Sequence, residues 1–148
     1  MTEALIKIKQ LSHLSYLPKQ ATEGAAGFDV AYPGTQDVMI MPTKAVLIKL
    51  GFAVEVPPGF EIQVRPRSGL ALKEFITVAN SPGTIDSDYR GECGVILHNF
   101  GNQPYTVRPG ERVAQFVVAA VPKVSLELVE ELSNTERGTG GFGSTGKQ

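Results

Sequence analysis

The chain has 148 residues, 42% of them hydrophobic and 20% charged, with a formal net charge of −1. That length suits one domain with a core of its own, and the near-neutral balance argues against bulk binding to nucleic acid. A single cysteine, Cys93, excludes an internal disulfide, and two histidines, His13 and His98, are too few for a zinc cluster. No apolar run approaches the roughly 18 residues of a membrane helix. The first twenty residues carry no secretory pattern, so a cytoplasmic setting away from any membrane is the expectation.

Residues 5–9 alternate apolar and basic side chains, as an opening strand does. Residues 14–18 read as a short extended piece stopped by Pro18. Residues 21–30, A-T-E-G-A-A-G-F-D-V, are small and glycine-containing for a strand, which leaves room for another backbone or a ligand. Asp29 sits there between Phe28 and Val30, and an acid buried at that position must find a partner. After a turn at Pro33 and Gly34, residues 38–40, 45–49 and 52–56 read as strands. Pro57, Pro58 and Gly59 then predict a hairpin from 52–56 into 60–65. In its second member Phe60, Ile62 and Val64 point to the core, while Glu61, Gln63 and Arg65 point out. Pro66 ends that strand, and Ser68 is placed as the N-cap of the one plausible helix, about 69–75. A serine, free backbone N–H groups and Arg67 at a helix start make an anion site.

The stretch 80–92, N-S-P-G-T-I-D-S-D-Y-R-G-E, holds the densest set of reactive groups. Asn80, Pro82 and Gly83 turn sharply into it and Gly91 allows a reversal out of it, which predicts a second hairpin. At a two-residue period Asp86 and Asp88 share a face, and like charges there ask for a cation or a proton nearby. Tyr89 adds a flat ring and Arg90 a guanidinium. Beyond it, 95–99, 105–108 and 113–120 read as strands, with turns at 100–102 and 109–112. Gln115 is an amide among apolar neighbours, either a ligand contact or a satisfied core residue. Residues 126–132 alternate weakly, as a last strand could. The six arginines, Arg65, Arg67, Arg90, Arg108, Arg112 and Arg137, all fall in the middle and end of the chain. Arginine suits bidentate phosphate recognition, which points to an anionic small ligand. Many short strands with Gly/Pro turns, and no long helices between them, predict an all-β sandwich or barrel.

Residues 137–148, R-G-T-G-G-F-G-S-T-G-K-Q, hold too much glycine for a strand or a helix. They are expected to form a mobile arm after a domain spanning 1–136. Residues 138–143 fit G-x-G-x-x-G, and 141–147 fit a P-loop up to Gln148, but no apolar strand runs into the loop and no helix pattern follows. What remains is an anion-wrapping arm with freed backbone N–H groups, the Ser144 and Thr145 hydroxyls, Arg137 and the Phe142 ring.

Five segments, A-G-F-D-V, P-R-S-G-L-A, G-T-I-D-S-D-Y-R-G-E, P-G-E-R-V-A-Q and R-G-T-G-G-F-G-S-T-G, occur here in one order. In that set and order the chain resembles, over nearly its whole length, the homotrimeric deoxyuridine triphosphate nucleotidohydrolases (dUTPases). The resemblance implies a jelly-roll-like β-sandwich or barrel with one short helix and a flexible Gly-rich C-terminal arm. It implies hydrolysis of dUTP to dUMP and pyrophosphate, which limits uracil in DNA and supplies dUMP for dTMP synthesis. By the same resemblance Asp86 activates a water for attack on the α-phosphorus, and Tyr89 lies under the deoxyribose, leaving no room for a 2′-hydroxyl. Asn80, with Thr84 and Ile85 of the hairpin backbone, would bond uracil in a pocket too tight for thymine's methyl group. Arg67, Ser68 and Gly69 would hold the phosphates with Gln115 beside them. Arg137, Gly143, Ser144 and Thr145 would close over the γ-phosphate as Phe142 stacks on uracil. Asp29 would orient the phosphate-binding region. Mg2+ would be held through the phosphates and water rather than by protein ligands, and each site of the homotrimer would draw on three chains.

General chemistry asks for the same parts. Hydrolysing a triphosphate needs charge neutralised along the chain, a positioned water and a base within hydrogen-bond reach. Phe28, Val30, Thr84 and Cys93 depart from the residues usual in the family, and none of these changes removes a proposed functional group. The nearest alternative is a dCTP deaminase of similar fold, whose base is a glutamate; Ile96 stands at that glutamate's position. A non-catalytic nucleotide-binding regulator would have no use for Asp86.

Overall fold

Alternating apolar and polar residues give most of the strands one face to bury. The computed structural model describes residues 3–147; Met1, Thr2 and Gln148, the last residue of the expected arm, lie outside it. Eleven strands follow in order: Lys7–Gln10 (β1), Lys19–Gln20 (β2), Gly27–Ala31 (β3), Val38–Ile40 (β4), Ala45–Glu55 (β5), Phe60–Arg65 (β6), Ile76–Val78 (β7), Gly83–Ile85 (β8), Glu92–Asn99 (β9), Tyr105–Val107 (β10) and Arg112–Ala120 (β11). They form a four-stranded sheet, β1-β5-β9-β7, a five-stranded sheet, β2-β3-β11-β6-β8, and a two-stranded ribbon, β10-β4. Every pairing is antiparallel. The architecture is an all-β sandwich of jelly-roll type with almost no helix.

The core lies between the two sheets. Ile48, Leu50, Phe52, Val95 and Leu97 from one meet Val30, Ile62, Val64, Val113 and Phe116 from the other. Phe52 and Phe116 lock the layers with an edge-to-face contact, ring centroids 6.1 Å apart. Burying each such side chain stabilises the fold by about 1.5–3 kcal/mol. Ile62 and Val64 face inward as the alternation predicts, with Arg65 exposed.

Four expectations change. The strands expected at 45–49 and 52–56 are one strand, β5, bent at Gly51, which takes φ +77. The glycine there makes a bulge rather than a turn. Neither expected hairpin is a hairpin: β5 pairs with β1 and β9 while β6 pairs with β11 and β8. The chain at Pro57–Gly59 crosses from one sheet to the other, and the segment between β8 and β9 crosses back. The expected helix is a single wide π-type turn, Leu70–Glu74, closed by the Phe75 N–H on the Leu70 carbonyl. Ser68 does not cap it: Gly69 holds the N-cap place and no side chain bonds the freed N–H groups. Finally, residues 126–132 form no strand, and Leu126 and Leu128 are fully exposed. Alternation made a strand plausible there, but no neighbouring edge within the chain pairs with it.

Candidate active site

The crossing between β8 and β9 forms one wall of a cavity of about 460 Å³. Of the residues singled out from the sequence, Asn80, Thr84, Ile85, Asp86 and Tyr89 line it together. β8 is held by β6, with Ile62 opposite Ile85 and Gln63 opposite Thr84, so the backbone leading to Asp86 belongs to a paired strand. Asp86 starts a turn whose fourth residue, Tyr89, returns its N–H to the Asp86 carbonyl at 3.2 Å. Strand alternation therefore does not govern this stretch, because the acids lie on a turn. Asp86 and Asp88 nonetheless border one hollow, but only Asp86 also lines the larger cavity. Arg90, the neighbouring guanidinium, bonds the Ser87 carbonyl at 2.7 Å and reaches Glu55 at 3.7 Å, and among the described residues makes no ion pair with Asp86 or Asp88.

Tyr89 is folded back over its own turn. Its hydroxyl donates to the Glu92 carbonyl at 3.0 Å, and the ring passes where a side chain on residue 91 would be. A Cβ on Gly91 would lie 2.3 Å from the Tyr89 hydroxyl. Burial, and then the charge of Glu92, push the Cys93 thiol up to about 11, so this cavity residue stays protonated at neutral pH.

A second group stands on the five-stranded sheet. Asp29 on β3 is paired on both oxygens, by Arg67 Nε at 3.4 Å and Arg112 Nη1 at 3.3 Å. Gln115 on β11 lies opposite Asp29 on one side and Arg65 on the other, and its amide donates to the Pro66 carbonyl at 3.1 Å. The small residue expected to admit a close approach is Gly27, and what approaches it is the Gln115 amide oxygen. Asp29 and Gln115 thus hold the loop that carries Arg67, Ser68 and Gly69.

The third group is the tail. From residue 120 to 139 every residue is exposed, and Phe142 is wholly so. Its bonds are local, such as Arg137 Nε to the Gly140 carbonyl at 2.7 Å and the Ser144 N–H to the Gly141 carbonyl at 3.0 Å. Among the described residues no hydrogen bond or ion pair joins Arg137, Phe142, Gly143, Ser144 or Thr145 to the body of the fold. Within one chain the expected site is therefore in three separate parts.

Comparison with known proteins decides the family. The sequence profile of the family described as dUTPase matches residues 15–146. A deoxyuridine 5′-triphosphate nucleotidohydrolase of Nautilia profundicola is 52% identical over 142 residues, covering 96% of this chain and 99% of that protein. The one from Clostridium tetani is 49% identical over 147 residues, covering 99% of this chain and all of its own length. The chain belongs to the dUTPase family. Among solved structures, the dUTPase of Staphylococcus bacteriophage 80alpha, studied with dUpNHpp, superposes with a TM-score of 0.88 at 27% identity. That match covers 96% of this chain and 98% of the phage protein.

Two residues of this dUTPase site were not singled out from the sequence. Arg112 stands in the sequence only among the six arginines that suit an anion and in the turn 109–112, with no role of its own, yet it shares Asp29 with Arg67; the available signal is the acid at Asp29, which has two oxygens to satisfy. Glu92 was read only as the end of a motif, yet its carboxylate accepts the Gly51 N–H at 3.0 Å across the sheet. No sequence spacing connects those two positions. Ile96, the position at which the deaminase reading asks for a glutamate, lines the cavity with an aliphatic side chain.

Proposed function

We propose that this dUTPase hydrolyses dUTP to dUMP and pyrophosphate with Asp86 as the general base, at sites assembled from three chains. One observation carries the assignment of the base. Two carboxylates line the cavity: Glu92 Oε2 is held by the Gly51 N–H, whereas neither oxygen of the Asp86 carboxylate takes a bond from a protein donor among the described residues. A base must have an oxygen available to hold the attacking water. Asp86 takes that water's proton as its oxygen closes on the α-phosphorus, and pyrophosphate leaves on the opposite side.

Asn80 and the β8 backbone at Thr84 and Ile85 are positioned to hydrogen-bond a base in the cavity, with the Tyr89 ring as the wall facing the sugar. Arg67, with Ser68, Gly69 and Gln115 around it, neutralises the phosphates; its tie to Asp29 fixes the guanidinium before substrate arrives. Arg137, Gly143, Ser144, Thr145 and Phe142 close over the bound nucleotide as the arm 137–148, excluding bulk water. Mg2+ bound with the triphosphate would supply charge neutralisation and orientation beside Arg67.

The homotrimer is supported by what one chain leaves uncovered. Val124, Leu126, Leu128 and Leu132 are 69–101% exposed on the arm after β11. An apolar hollow of about 250 Å³ opens beside the edge strand β1, lined by Ile6, Ile8, Phe28 and Val118. No helix among the described residues is long and apolar enough to cross a membrane, and a free nucleotide substrate suits a cytoplasmic setting. The deciding assay follows pyrophosphate and ammonia separately from dUTP and dCTP with magnesium. Pyrophosphate from dUTP alone supports the reading, and ammonia from dCTP overturns it.

A further inference from the structure

We propose that Glu92 is a positioning residue for sugar selection, clamping the Tyr89 ring to the bulge in β5. This rests on the reading of Tyr89 as the wall facing the deoxyribose. The β5–β9 ladder pairs Lys49 with Gly94 and then Ala53 with Glu92, four residues along one strand against two along the other. The residues looped out between have lost their regular partners on β9, though Phe52 keeps Gln10 on β1. Gly51 lies among them at φ +77, with its N–H turned to Glu92 Oε2 at 3.0 Å and its carbonyl taking the N–H groups of Leu11 and Ser12 at 2.8 and 3.0 Å. A side chain there would meet the Cβ atoms of Ser12 and Ser15 at 3.1 Å. The bulge is thus pinned from one side by the 11–12 backbone and from the other by the Glu92 carboxylate.

Glu92 bears two bonds that belong to different parts of the molecule. Its carboxylate is tied to the bulge, and its backbone carbonyl receives the Tyr89 hydroxyl at 3.0 Å. The ring therefore rests on a residue anchored 41 positions away. Asp86 is held differently, through the pairing of β8 with β6. Loosening Glu92 lets the ring retreat and admit a 2′-hydroxyl, while the base keeps its own support. Selection and turnover have separate anchors in this arrangement.

The test compares steady-state kinetics on dUTP and UTP for the wild type, Glu92→Ala, Glu92→Gln and Tyr89→Ala. Glu92→Ala is expected to raise the kcat/KM of UTP relative to dUTP by about tenfold, chiefly through KM, with a smaller fall in kcat for dUTP. Glu92→Gln keeps an amide oxygen for the Gly51 N–H and is expected to retain the wild-type preference. If Glu92→Ala does not fold, Glu92→Asp, too short to reach Gly51, carries the same expectation. Wild-type selectivity in Glu92→Ala beside relaxed selectivity in Tyr89→Ala overturns the clamp and leaves the Tyr89 reading standing. Equal relaxation in the Gln and Ala variants also overturns it, since the bond to Gly51 would then be irrelevant. Unchanged selectivity in Tyr89→Ala removes the Tyr89 reading itself, and the clamp with it.

Discussion

Asp86 and Glu92 stand on the same cavity wall, and hydrogen bonding alone separates their parts. Replacing Asp86 by Asn keeps the shape and removes the proton acceptor. Asp86→Asn is expected to bind dUTP but lose about 10²–10⁴-fold in kcat, read from pyrophosphate release beside a binding titration; near wild-type turnover would mean another group is the base. Cys93 and Tyr105 make a second residue-scale prediction. Burial, helped by Glu92, lifts the thiol from its ordinary 9.0 to about 11 in the fold. Burial and its hydrogen bond to Glu111 lift the Tyr105 phenol well above its ordinary 10.0. Both groups lose their protons first in the unfolded chain, so their contribution to stability is fully present below about pH 9 and falls as pH rises toward 11. Urea unfolding at a series of pH values reads this slope, and Cys93→Ala should make it shallower. At this scale the sequence marked candidates for chemistry, because Asp, Arg and Tyr announce themselves by type. It did not show which were already spoken for: Arg90 turns to Ser87, and Glu92 to Gly51.

The elements were legible as strands and illegible as pairs. β4 and the inward face of β6 stand where alternation put them. The segments 52–65 and 80–92 carry the turn chemistry of hairpins, yet both are crossings between sheets. Proline and glycine set where a chain reverses, whereas the partner depends on contacts far away in sequence, and local pattern does not contain those. Asn99 shows the same limit. It is fully buried at the end of β9, and nothing in its neighbourhood marks it as structural. Its amide donates to the Ile40 carbonyl at 2.9 Å and the Gln103 carbonyl at 2.7 Å, and its oxygen accepts the Gly101 N–H at 2.9 Å. This one side chain joins β9 to β4 and closes the turn between β9 and β10. Asn99→Ala removes a buried partner from all three groups and is expected to cost about 3 kcal/mol, measured as a lowered urea midpoint with an unchanged slope. A loss under about 0.5 kcal/mol would mean that water replaces the amide at no cost.

On the scale of the whole molecule, the three parts of the site need not come from the same chain, and mixing tests this. Asp86→Asn with its tail intact and a chain ending at Glu136 with Asp86 intact are each expected to be weak. Refolded together they are expected to form mixed trimers of the proposed assembly. A trimer with one Asp86→Asn chain and two shortened chains has one tail and two good bases. If the tail serves a neighbour's site, pyrophosphate release from the mixture exceeds that of either parent. A mixture no more active than its parents, with mixed trimers confirmed by mass, excludes shared sites.

The position of β11 has a consequence for how the chain acquires its shape. β11 is the last strand in sequence and sits in the middle of the five-stranded sheet, between β3 and β6. Of all the paired strands only β2 and β3 are neighbours along the chain. Folding therefore has to close long loops before most of its contacts form, which places this fold among the slow ones, in the millisecond-to-second range. During synthesis β3 and β6 emerge early and wait, each with an open edge, until residues 112–120 arrive to lie between them. A chain halted at Gly110 should remain unable to form that sheet, whatever the fate of the other one. The waiting edges are also where a nascent chain is most open to pairing with the wrong partner.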